Sequence, residues 1–239
     1  MKKVFAPFHP AGHSPKTSPP LAVVLLSGGL DSCVAAAVAR KDHDLALFHA
    51  NYGQRTLSRE LAAFRALANF FQAKFVLEAD LAFLGKIGGS SLTDTSQAVP
   101  AGGAELPGIP STYVPFRNSI FLAAAVAWAE VLGAGAIFIG ANFLDNPGYP
   151  DCRPEYFQAF HRLIKVGARP ETKIRLETPL IHLDKAGIVR LGLELGAPLE
   201  LTWSCYTQEA KACGRCSSCL LRLQGFAAAG VPDPIPYQD

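Results

Sequence analysis

A short run of small and polar residues, Ser27-Gly28-Gly29-Leu30-Asp31-Ser32, follows six consecutive apolar residues, 21–26. The pattern predicts a buried strand, a tight glycine turn and the first turn of a helix. Glycines let a backbone approach a ligand closely, and the free amides at a helix N-terminus favour an anion. The hydroxyls of Ser27 and Ser32 can donate to phosphate oxygens, and the Asp31 carboxylate can hold a magnesium ion or cap the helix. The segment is therefore predicted to bind phosphate.

This glycine turn differs from the two commonest phosphate-binding motifs. No lysine follows the glycines, as GxxxxGK[ST] requires, and the second glycine directly follows the first, unlike GxGxxG. SGGLDS instead resembles the PP-loop of the adenylating ATP pyrophosphatases, which bind the pyrophosphate end of ATP and cleave between the α- and β-phosphates. The alternative is an ordinary strand-to-helix turn in an α/β protein.

Four cysteines near the C-terminus have the spacing of a metal site. They are spaced C-x7-C-x2-C-x2-C, at Cys205, Cys213, Cys216 and Cys219. Zinc binds four thiolates in a tetrahedron with sulfur about 2.3 Å from the metal, and a CxxC turn supplies two of them. Four protein ligands leave no coordination position open, so the predicted site is structural and not catalytic. An iron–sulfur cluster and disulfides are the alternatives.

The other two cysteines have different surroundings. Cys33 lies in the first predicted helix beside the phosphate loop, where a small packing residue is expected. It is also the last residue of the predicted nucleotide-binding segment. Cys152 lies in a polar loop, and a nucleophilic role there would require a lowered thiol pKa, for which Arg153 is the candidate cause. The alternative for Cys152 is a plain loop residue.

Composition narrows the classes of function. With 239 residues, of which 49% are hydrophobic, the chain can bury a large core as one α/β domain with an appendage. The net charge is +2 and no basic run stands out, which argues against a large nucleic-acid interface. No unbroken apolar stretch of about 18 residues occurs, so no membrane span is expected. Residues 1–20 lack the apolar core of a secretory signal, and the clustered cysteines therefore predict a reducing, cytoplasmic location.

Strand and helix patterns alternate along the chain. This alternation predicts a doubly wound parallel sheet with helices on both faces, and ligands of such sheets bind at the C-terminal ends of the strands. We expect a flexible extension over 1–20, a nucleotide-binding α/β domain over 21–200 and a small helical zinc-binding region over 201–239. The predicted strands are 21–26, 44–50, 74–77, 136–141 and an edge strand at 174–178, and the predicted helices are 33–40, 56–71, 119–132, 155–166, 182–195 and 216–229.

Residues 80–115 form a long segment rich in glycine and proline. A connection of this length is uncommon unless it covers or forms a site, so we predict a mobile active-site flap, with an ordinary surface insertion as the alternative. Asn118 is the predicted N-cap of the helix that follows. Residues 231–239, with three prolines, are predicted to form a terminal strap.

Six motifs in a fixed order carry a more specific resemblance. SGGLDS, NYGQR, TYVPFRN, GYPDCRPE, TWSCY and CGRCSSCLLR together resemble the 7-cyano-7-deazaguanine synthase (QueC) family from about residue 21 to residue 233. The resemblance implies conversion of 7-carboxy-7-deazaguanine and ammonia to the nitrile in queuosine biosynthesis, with two ATP, through an adenylated carboxylate and an adenylated amide. It also implies magnesium, a homodimer, a structural zinc ion and zinc ligands at the four clustered cysteines.

The resemblance assigns roles to individual positions. Asp31, Ser32 and Arg117 are expected to be catalytic. Arg55 and Arg117 are candidates to neutralise phosphate or the substrate carboxylate, since guanidinium pairs bidentately with either, whereas surface salt bridges are the alternative. The expected nucleotide-binding positions are Leu26, Ser27, Gly28, Gly29, Leu30, Asp31, Ser32 and Cys33.

Substrate recognition is assigned to two motifs, NYGQR with Gln54 and Arg55, and GYPDCRPE. Asp151 or Glu155 could accept hydrogen bonds from the guanine-like N1–H and exocyclic amine, and Tyr149 could stack on the heterocycle. Arg153 is the fourth candidate in that loop, although it could pair with Asp151 instead.

Three positions depart from the family pattern. Asn51 stands where the family usually has aspartate, Thr56 where it usually has histidine and Phe116 where glycine is common. The alternatives to the implied reaction are a related enzyme adenylating another carboxylate, a tRNA-modifying PP-loop enzyme, and a zinc-knuckle module whose PP-loop senses nucleotide. The near-neutral charge disfavours the tRNA enzyme, and the intact SGGLDS disfavours the sensor.

Overall fold

The computed structural model describes residues 19–102, 108–145 and 148–238. Most of the predicted N-terminal extension, 1–18, lies outside the described residues, as do 103–107 of the predicted flap. No helix within the described ranges is both long and apolar enough to cross a membrane.

Five parallel strands form one sheet in the order β3-β2-β1-β4-β5. The three central strands β2, β1 and β4 are largely buried because a parallel sheet is covered on both faces, whereas β3 and β5, at the two edges, each have exposed residues. The parallel sheet confirms the predicted fold class, and β5 is an edge strand as predicted. The strands are β1 (Leu21–Leu25), β2 (Asp44–Asn51), β3 (Phe75–Asp80), β4 (Ala136–Ile139) and β5 (Arg175–Glu177).

Seven α-helices are found among the described residues. One face of the sheet carries a core that includes α1, α2, α6 and α7, and the other carries a core built with α4 and α5. The helices are α1 (Leu30–Arg40), α2 (Leu57–Phe70), α3 (Phe83–Ile87), α4 (Arg117–Leu132), α5 (Pro154–Gly167), α6 (Lys185–Glu194) and α7 (Ser217–Ala229).

The strand order reverses between β1 and β4, which pair in the middle of the sheet. Chain segments leaving the C-terminal ends of these two strands diverge to opposite faces, and the crevice between them is where such sheets bind ligands. Gly140, just beyond β4, approaches α1 so closely that an added Cβ would lie 2.7 Å from the Asp31 carbonyl oxygen. The polar loops after β1 and β4 therefore meet at this edge.

One local prediction is wrong. Asn118 does not cap α4, because the helix begins earlier and Phe116 is the N-cap, with φ 57° and ψ 22°. Asn118 lies instead in the first turn, where its backbone N–H donates to Asp151 Oδ2 at 3.0 Å. The described part of the segment 80–115 includes α3 and buries Ser90 and Ser91 completely. Its mobility stays a prediction.

The C-terminal residues pack tightly against the rest of the chain. Helix α7 lies against α6, and Phe226 joins the core beneath the sheet. The predicted strap is present, because Ile235 is buried and Gln238 N–H donates to the Ala212 carbonyl oxygen at 2.8 Å. The region after residue 200 thus packs against the α/β core, and the domain boundary near residue 200 stays a prediction.

Candidate nucleotide site and cysteine centre

The loop between β1 and α1 has a geometry that requires glycine. Gly28 has φ 92°, and an added Cβ would lie 2.6 Å from the Glu60 carbonyl oxygen. The two serines of the loop bond to one another, with Ser27 Oγ and Ser32 Oγ 3.1 Å apart, and the Ser27 N–H donates to Ser32 Oγ at 3.2 Å. These bonds hold both hydroxyls at the N-terminus of α1, where an anion is favoured.

Asp31 forms an ion pair that sequence reasoning missed. Lys185 Nζ lies 2.7 and 2.8 Å from the two Asp31 carboxylate oxygens and 3.0 Å from Asp145 Oδ2. Burial lowers the pKa of Lys185, but the two carboxylates outweigh that effect and raise it overall. Burial also raises the pKa of Asp145. One buried ammonium shared by two carboxylates leaves an excess negative charge beside the loop.

The position of Lys185 follows from local sequence signals around α6. Asp184 is the N-cap and accepts from the Gly187 N–H at 2.6 Å, so Lys185 is the first helical residue. The helix begins shortly after β5, at the same edge of the sheet as the phosphate loop. A capped helix beginning with lysine at that edge was the signal that could have identified this residue.

Arg117 lies in a cluster of aromatic hydroxyls. Its guanidinium donates to the Tyr52 hydroxyl at 3.1 Å and lies over the Tyr52 ring, 5.3 Å from the centroid. Burial raises the pKa of Tyr52 to about 12, so this phenol is neutral at ordinary pH. The Tyr149 hydroxyl is 2.6 Å from Thr112 Oγ1. The positive charge of Arg117 acts to lower the pKa of both Tyr149 and Asp151, against the effect of their burial.

The Arg55 side chain is bonded to the backbone of a neighbouring segment. Its Nε donates to the Ser91 carbonyl oxygen at 2.7 Å, and a terminal nitrogen donates to the carbonyl oxygens of Asp94, at 2.6 Å, and Gln97. This guanidinium therefore holds the segment 91–97 in place. Its predicted role in neutralising phosphate or the substrate carboxylate stays a prediction, and none of the ion pairs found among the described residues includes Arg55.

Gln54 also has bonds within its own loop. Its Oε1 accepts from the Tyr52 N–H at 2.9 Å, and its Nε2 donates to Glu60 Oε2 at 3.1 Å. The side chain is buried, and it joins the end of β2 to α2. Its predicted contact with substrate is thus not supported by this conformation.

The candidate substrate-binding residues in the loop after β4 differ in burial. Asp151 is buried, and burial raises its pKa, while the Asn118 N–H and Arg117 oppose that shift. Arg153 and Glu155 are exposed at the start of α5, and no ion pair joins Arg153 to Asp151 among the described residues. Asp151 is therefore the carboxylate that faces the interior of the site.

Cys152 does not have the properties of a nucleophile. It is buried, and burial raises the pKa of its thiol to about 11, with the Asp151 carboxylate acting in the same direction and Arg117 against it. A reactive thiolate requires the opposite shift. The negative charge of Asp31 also raises this pKa, and the Asn118 side-chain amide, in the first turn of α4, donates to Cys152 Sγ at 3.5 Å.

Three apolar positions of the predicted nucleotide-binding segment are buried, namely Leu26, Leu30 and Cys33. The Cys33 side chain lies in the core, burial raises its thiol pKa to about 12, and its backbone N–H donates to the Gly29 carbonyl oxygen at 3.1 Å. Packing is therefore its observed role, and contact with nucleotide at Cys33 is not supported. Leu26 and Leu30 pack in the core next to the turn and thereby support its conformation.

The four clustered cysteines come together with their sulfur atoms within 4.8 Å of one another. Two of the sulfurs, Cys213 Sγ and Cys219 Sγ, are 3.9 Å apart, close to the roughly 3.8 Å edge of a zinc–thiolate tetrahedron. Backbone N–H groups of Cys213 and Thr207 donate to Cys205 Sγ at 3.4 and 3.5 Å, as is typical of thiolate ligands. All four side chains are buried and none forms a disulfide. The donor set fits a closed zinc site.

The cysteine centre contacts the phosphate loop through its neighbouring residues. The Trp203 N–H donates to the Gly28 carbonyl oxygen at 2.8 Å, and Trp203 is almost fully buried. Arg59, on α2, lies over the Trp203 ring at 4.5 Å from the centroid. Folding around the four cysteines therefore fixes one side of the predicted nucleotide site.

Comparison with known proteins gives the family. The model of the family described as "Queuosine biosynthesis protein QueC" matches residues 21–230. The chain is 57% identical over 220 residues to the 7-cyano-7-deazaguanine synthase of Acidobacterium capsulatum, covering 90% of this chain and 96% of that protein. It is 55% identical to the 7-cyano-7-deazaguanine synthase of a Nitratiruptor species, covering 91% and 98% of the two chains.

Solved structures give weaker similarities. NAD+ synthetase from Burkholderia pseudomallei aligns with a TM-score of 0.42 and 17% identity over 90% of this chain and 75% of that one. A predicted subunit of tRNA methyltransferase from Methanocaldococcus jannaschii aligns with a TM-score of 0.45 and 16% identity, over 73% and 75% of the chains. The family model and the close relatives, by contrast, cover nearly the whole chain, and the chain belongs to the QueC family.

Proposed function

We propose that this protein is an ATP-dependent ligase that converts 7-carboxy-7-deazaguanine and ammonia to 7-cyano-7-deazaguanine, for queuosine biosynthesis. The observation that carries the proposal is the meeting of two sites at one sheet edge in a chain of this family. Gly140, just beyond β4, packs against the Asp31 backbone in the phosphate loop, and Asp151, in the loop after β4, accepts from the Asn118 N–H next to Arg117. An ATP and a carboxylate bound there would be neighbours.

The reaction requires activation of a carboxylate. A carboxylate is a poor electrophile, because its charge repels nucleophiles and oxide is a poor leaving group. Adenylation of its oxygen releases pyrophosphate, and ammonia then displaces AMP to give the amide. Adenylation of the amide oxygen and loss of AMP give the nitrile. The substrate itself supplies each nucleophile towards ATP, so the protein contributes positioning and stabilisation of charge.

The phosphate loop is proposed to bind the pyrophosphate end of ATP. The backbone amides at the start of α1 and the hydroxyls of Ser27 and Ser32 would donate to its oxygens. The ammonium of Lys185 would stabilise the charge that develops on the departing pyrophosphate. Magnesium, when bound, would neutralise further phosphate charge, and Asp31 and Asp145 are the carboxylates at hand to hold it.

The Arg117 cluster is proposed to bind the deazaguanine. The guanidinium would pair with the substrate carboxylate, and Tyr149, whose hydroxyl is held by Thr112, would offer its ring to the heterocycle. Asp151 is the preferred acceptor for the guanine-like N1–H and amine, because it is buried, whereas Glu155 is exposed. One Asp151 oxygen already accepts from Asn118, which fixes the orientation of the carboxylate.

The remaining proposals concern the assembly. Cys205, Cys213, Cys216 and Cys219 would hold a structural zinc ion, which would contribute folding energy and no chemistry. We further propose a homodimer in the cytoplasm, acting on small molecules and not on nucleic acid. Ammonia would serve as the nitrogen donor.

A turnover assay by mass spectrometry tests the function. The protein is incubated with magnesium, ATP, ammonium and 7-carboxy-7-deazaguanine, and AMP, amide and nitrile are quantified. AMP together with nitrile is the expected result. AMP with amide alone would mean that the second adenylation is lost, and no AMP from folded, zinc-loaded protein would reject the proposal in favour of another carboxylate substrate.

The two arginines provide a second test. Arg117→Lys removes bidentate pairing, so kcat/KM for the carboxylate should fall by about tenfold to a hundredfold while the fold is retained. Arg55→Lys, the matched control, should change thermal stability more than the KM of the carboxylate. Equal kinetic effects of both substitutions would contradict the assignment of substrate binding to Arg117.

A further inference from the structure

Two buried polar atoms at the end of β2 lack hydrogen-bond partners within the described part of the chain. They are His49 Nε2 and Asn51 Oδ1. The His49 side chain is 1% exposed, and both residues lie on the face of β2 that packs against α1 and α2. A buried polar atom without a partner costs free energy, so a compensating interaction is expected.

The hydrogen bond of the other ring nitrogen fixes the tautomer of His49. Nδ1 lies 3.0 Å from the Leu26 carbonyl oxygen, which can only accept, so Nδ1 carries the hydrogen. Burial lowers the pKa of the imidazole, with Arg65 on α2 acting in the same direction, while Leu26, Glu78 on β3 and Asn51 act against it. The ring is therefore neutral, and Nε2 offers a lone pair.

The Asn51 carboxamide lies beside this imidazole and contributes to its pKa. With Oδ1 buried next to a lone pair on Nε2, two acceptors meet and neither has a donor. A half-turn of the carboxamide replaces Oδ1 by Nδ2, which then donates to Nε2. The same half-turn moves Oδ1 to the opposite side of the carboxamide. Asn51 is the last residue of β2, which pairs with β1, and β1 leads into the phosphate loop.

We propose that His49 is a positioning residue that accepts from the Asn51 amide and thereby presents Asn51 Oδ1 to a hydrogen-bond donor on the nucleoside part of ATP. The donor is a ribose hydroxyl or the adenine amine. The inference rests on the proposed function, because it requires ATP in the adjacent loop. The carbonyl of Leu26 and the stacked ring of Phe64, 4.7 Å from the imidazole, hold His49 in the required orientation.

Calorimetric titration with ATP and magnesium, without the carboxylate substrate, tests the inference. His49→Leu removes the acceptor and should raise the Kd for ATP about tenfold, as loss of one oriented hydrogen bond does. His49→Gln places an amide oxygen near the position of Nε2 and should restore most of the affinity. Both variants lose the bond to Leu26, so their difference isolates the contact with Asn51. Inorganic pyrophosphate, which lacks the nucleoside, should bind all three proteins equally.

Two further arms identify the donor and the tautomer. The penalty from His49→Leu should disappear with 2′-deoxyATP if the ribose 2′-hydroxyl is the donor, or with inosine triphosphate if it is the adenine amine. In ¹⁵N NMR spectra the His49 ring should carry its hydrogen on Nδ1, and Asn51→Ala should shift the Nε2 resonance. A histidine that merely fills space would show no such shift.

The outcomes separate this inference from the proposed function. A wild-type protein that does not bind ATP would overturn both. A wild-type protein that binds ATP with an affinity unchanged by His49→Leu would overturn the positioning role alone. Equal losses of affinity in the Leu and Gln variants would overturn it as well, since packing around the ring would then explain both.

Discussion

The C-terminal cysteine region and the crevice at the sheet edge differ in how completely their polar groups are paired. In the first, Arg222 is almost fully buried and bonds to Asp233 through two nitrogens, at 2.7 and 3.0 Å, and to Thr202 at 2.7 Å. In the crevice, Lys185 is shared between two carboxylates, and Asn51 Oδ1 is unpaired. The first region fixes the fold, and the second keeps groups available for ligands.

The largest effect should come from the cysteine centre. Cys219→Ser removes one of four ligands, and structural zinc in small sites contributes about 10 kcal/mol or more to folding. We expect the variant to lose zinc and to unfold at a much lower temperature. It should also lose activity, because Trp203 would no longer support the phosphate loop at Gly28. Metal content by mass spectrometry and thermal unfolding measure this.

Cys33→Ala is the matched control for that substitution. This cysteine is equally buried but lies in the core beneath the sheet, outside the cluster. It should retain one zinc ion per chain, with only the stability loss of a small cavity. A Cys219→Ser protein that keeps its metal and its unfolding temperature would contradict the structural assignment of the centre.

The next effect concerns the buried ion pair. Asp233→Asn leaves the Arg222 guanidinium buried without a counter-charge, and breaking a buried pair in this way costs about 3–5 kcal/mol. The free energy of unfolding from urea titration measures the loss. Glu78→Gln is the control, since its bidentate pair with Arg65 is on the surface and such pairs contribute about 0–1 kcal/mol. Equal losses of unfolding free energy in the two variants would show that the buried pair of Arg222 and Asp233 contributes no more than a surface pair.

The sequence predicts the cysteine centre better than the crevice for a physical reason. All four ligands occur within one short segment, so their spacing alone determines the site. Asp31 and its partner Lys185 are 154 residues apart, and only the packing of α6 against α1 brings them together. The central strands were predictable because each is a largely apolar run, as is typical of strands buried on both faces of a parallel sheet.

The two arginines illustrate what local sequence cannot distinguish. Arg55 and Arg117 both stand in polar motifs at the edge of the sheet, and both were predicted to neutralise an anion. What separates them is the segment around Ser91, whose carbonyl oxygen takes the Arg55 Nε–H across 36 residues. A contact made through an irregular segment leaves no periodic signal in the sequence.

Within the crevice, Lys185 should have the largest effect on activity. Lys185→Met removes the charge next to the phosphate loop and leaves Asp31 and Asp145 unpaired. Loss of one such stabilising group costs about 10²–10³ in rate, so AMP formation should fall by that factor. Lys74→Met, which removes an exposed ammonium paired with Asp44, should leave it unchanged. A Lys185 variant within about twofold of wild type would exclude a role in catalysis.

The smallest effect concerns a strained residue at the crevice. Phe116 has φ 57° with its side chain 63% exposed. The left-handed conformation costs a non-glycine residue about 1–2 kcal/mol, and a glycine avoids this cost. Glycine in turn loses about 0.5–1 kcal/mol more conformational entropy on folding, which offsets part of the gain. Phe116→Gly should therefore stabilise the fold by roughly 0.5–1 kcal/mol, measured by urea unfolding.

Gln72, with φ 51° after α2, is the matched position away from the crevice. Gln72→Gly should raise the free energy of unfolding by a similar amount and leave turnover unchanged, because no candidate site residue is nearby in the chain. If the strain at Phe116 serves the site, then Phe116→Gly should raise stability but lower turnover, since the residue directly precedes Arg117 and sets the start of α4. Equal turnover in the two glycine variants would show that the strain at Phe116 has no functional role.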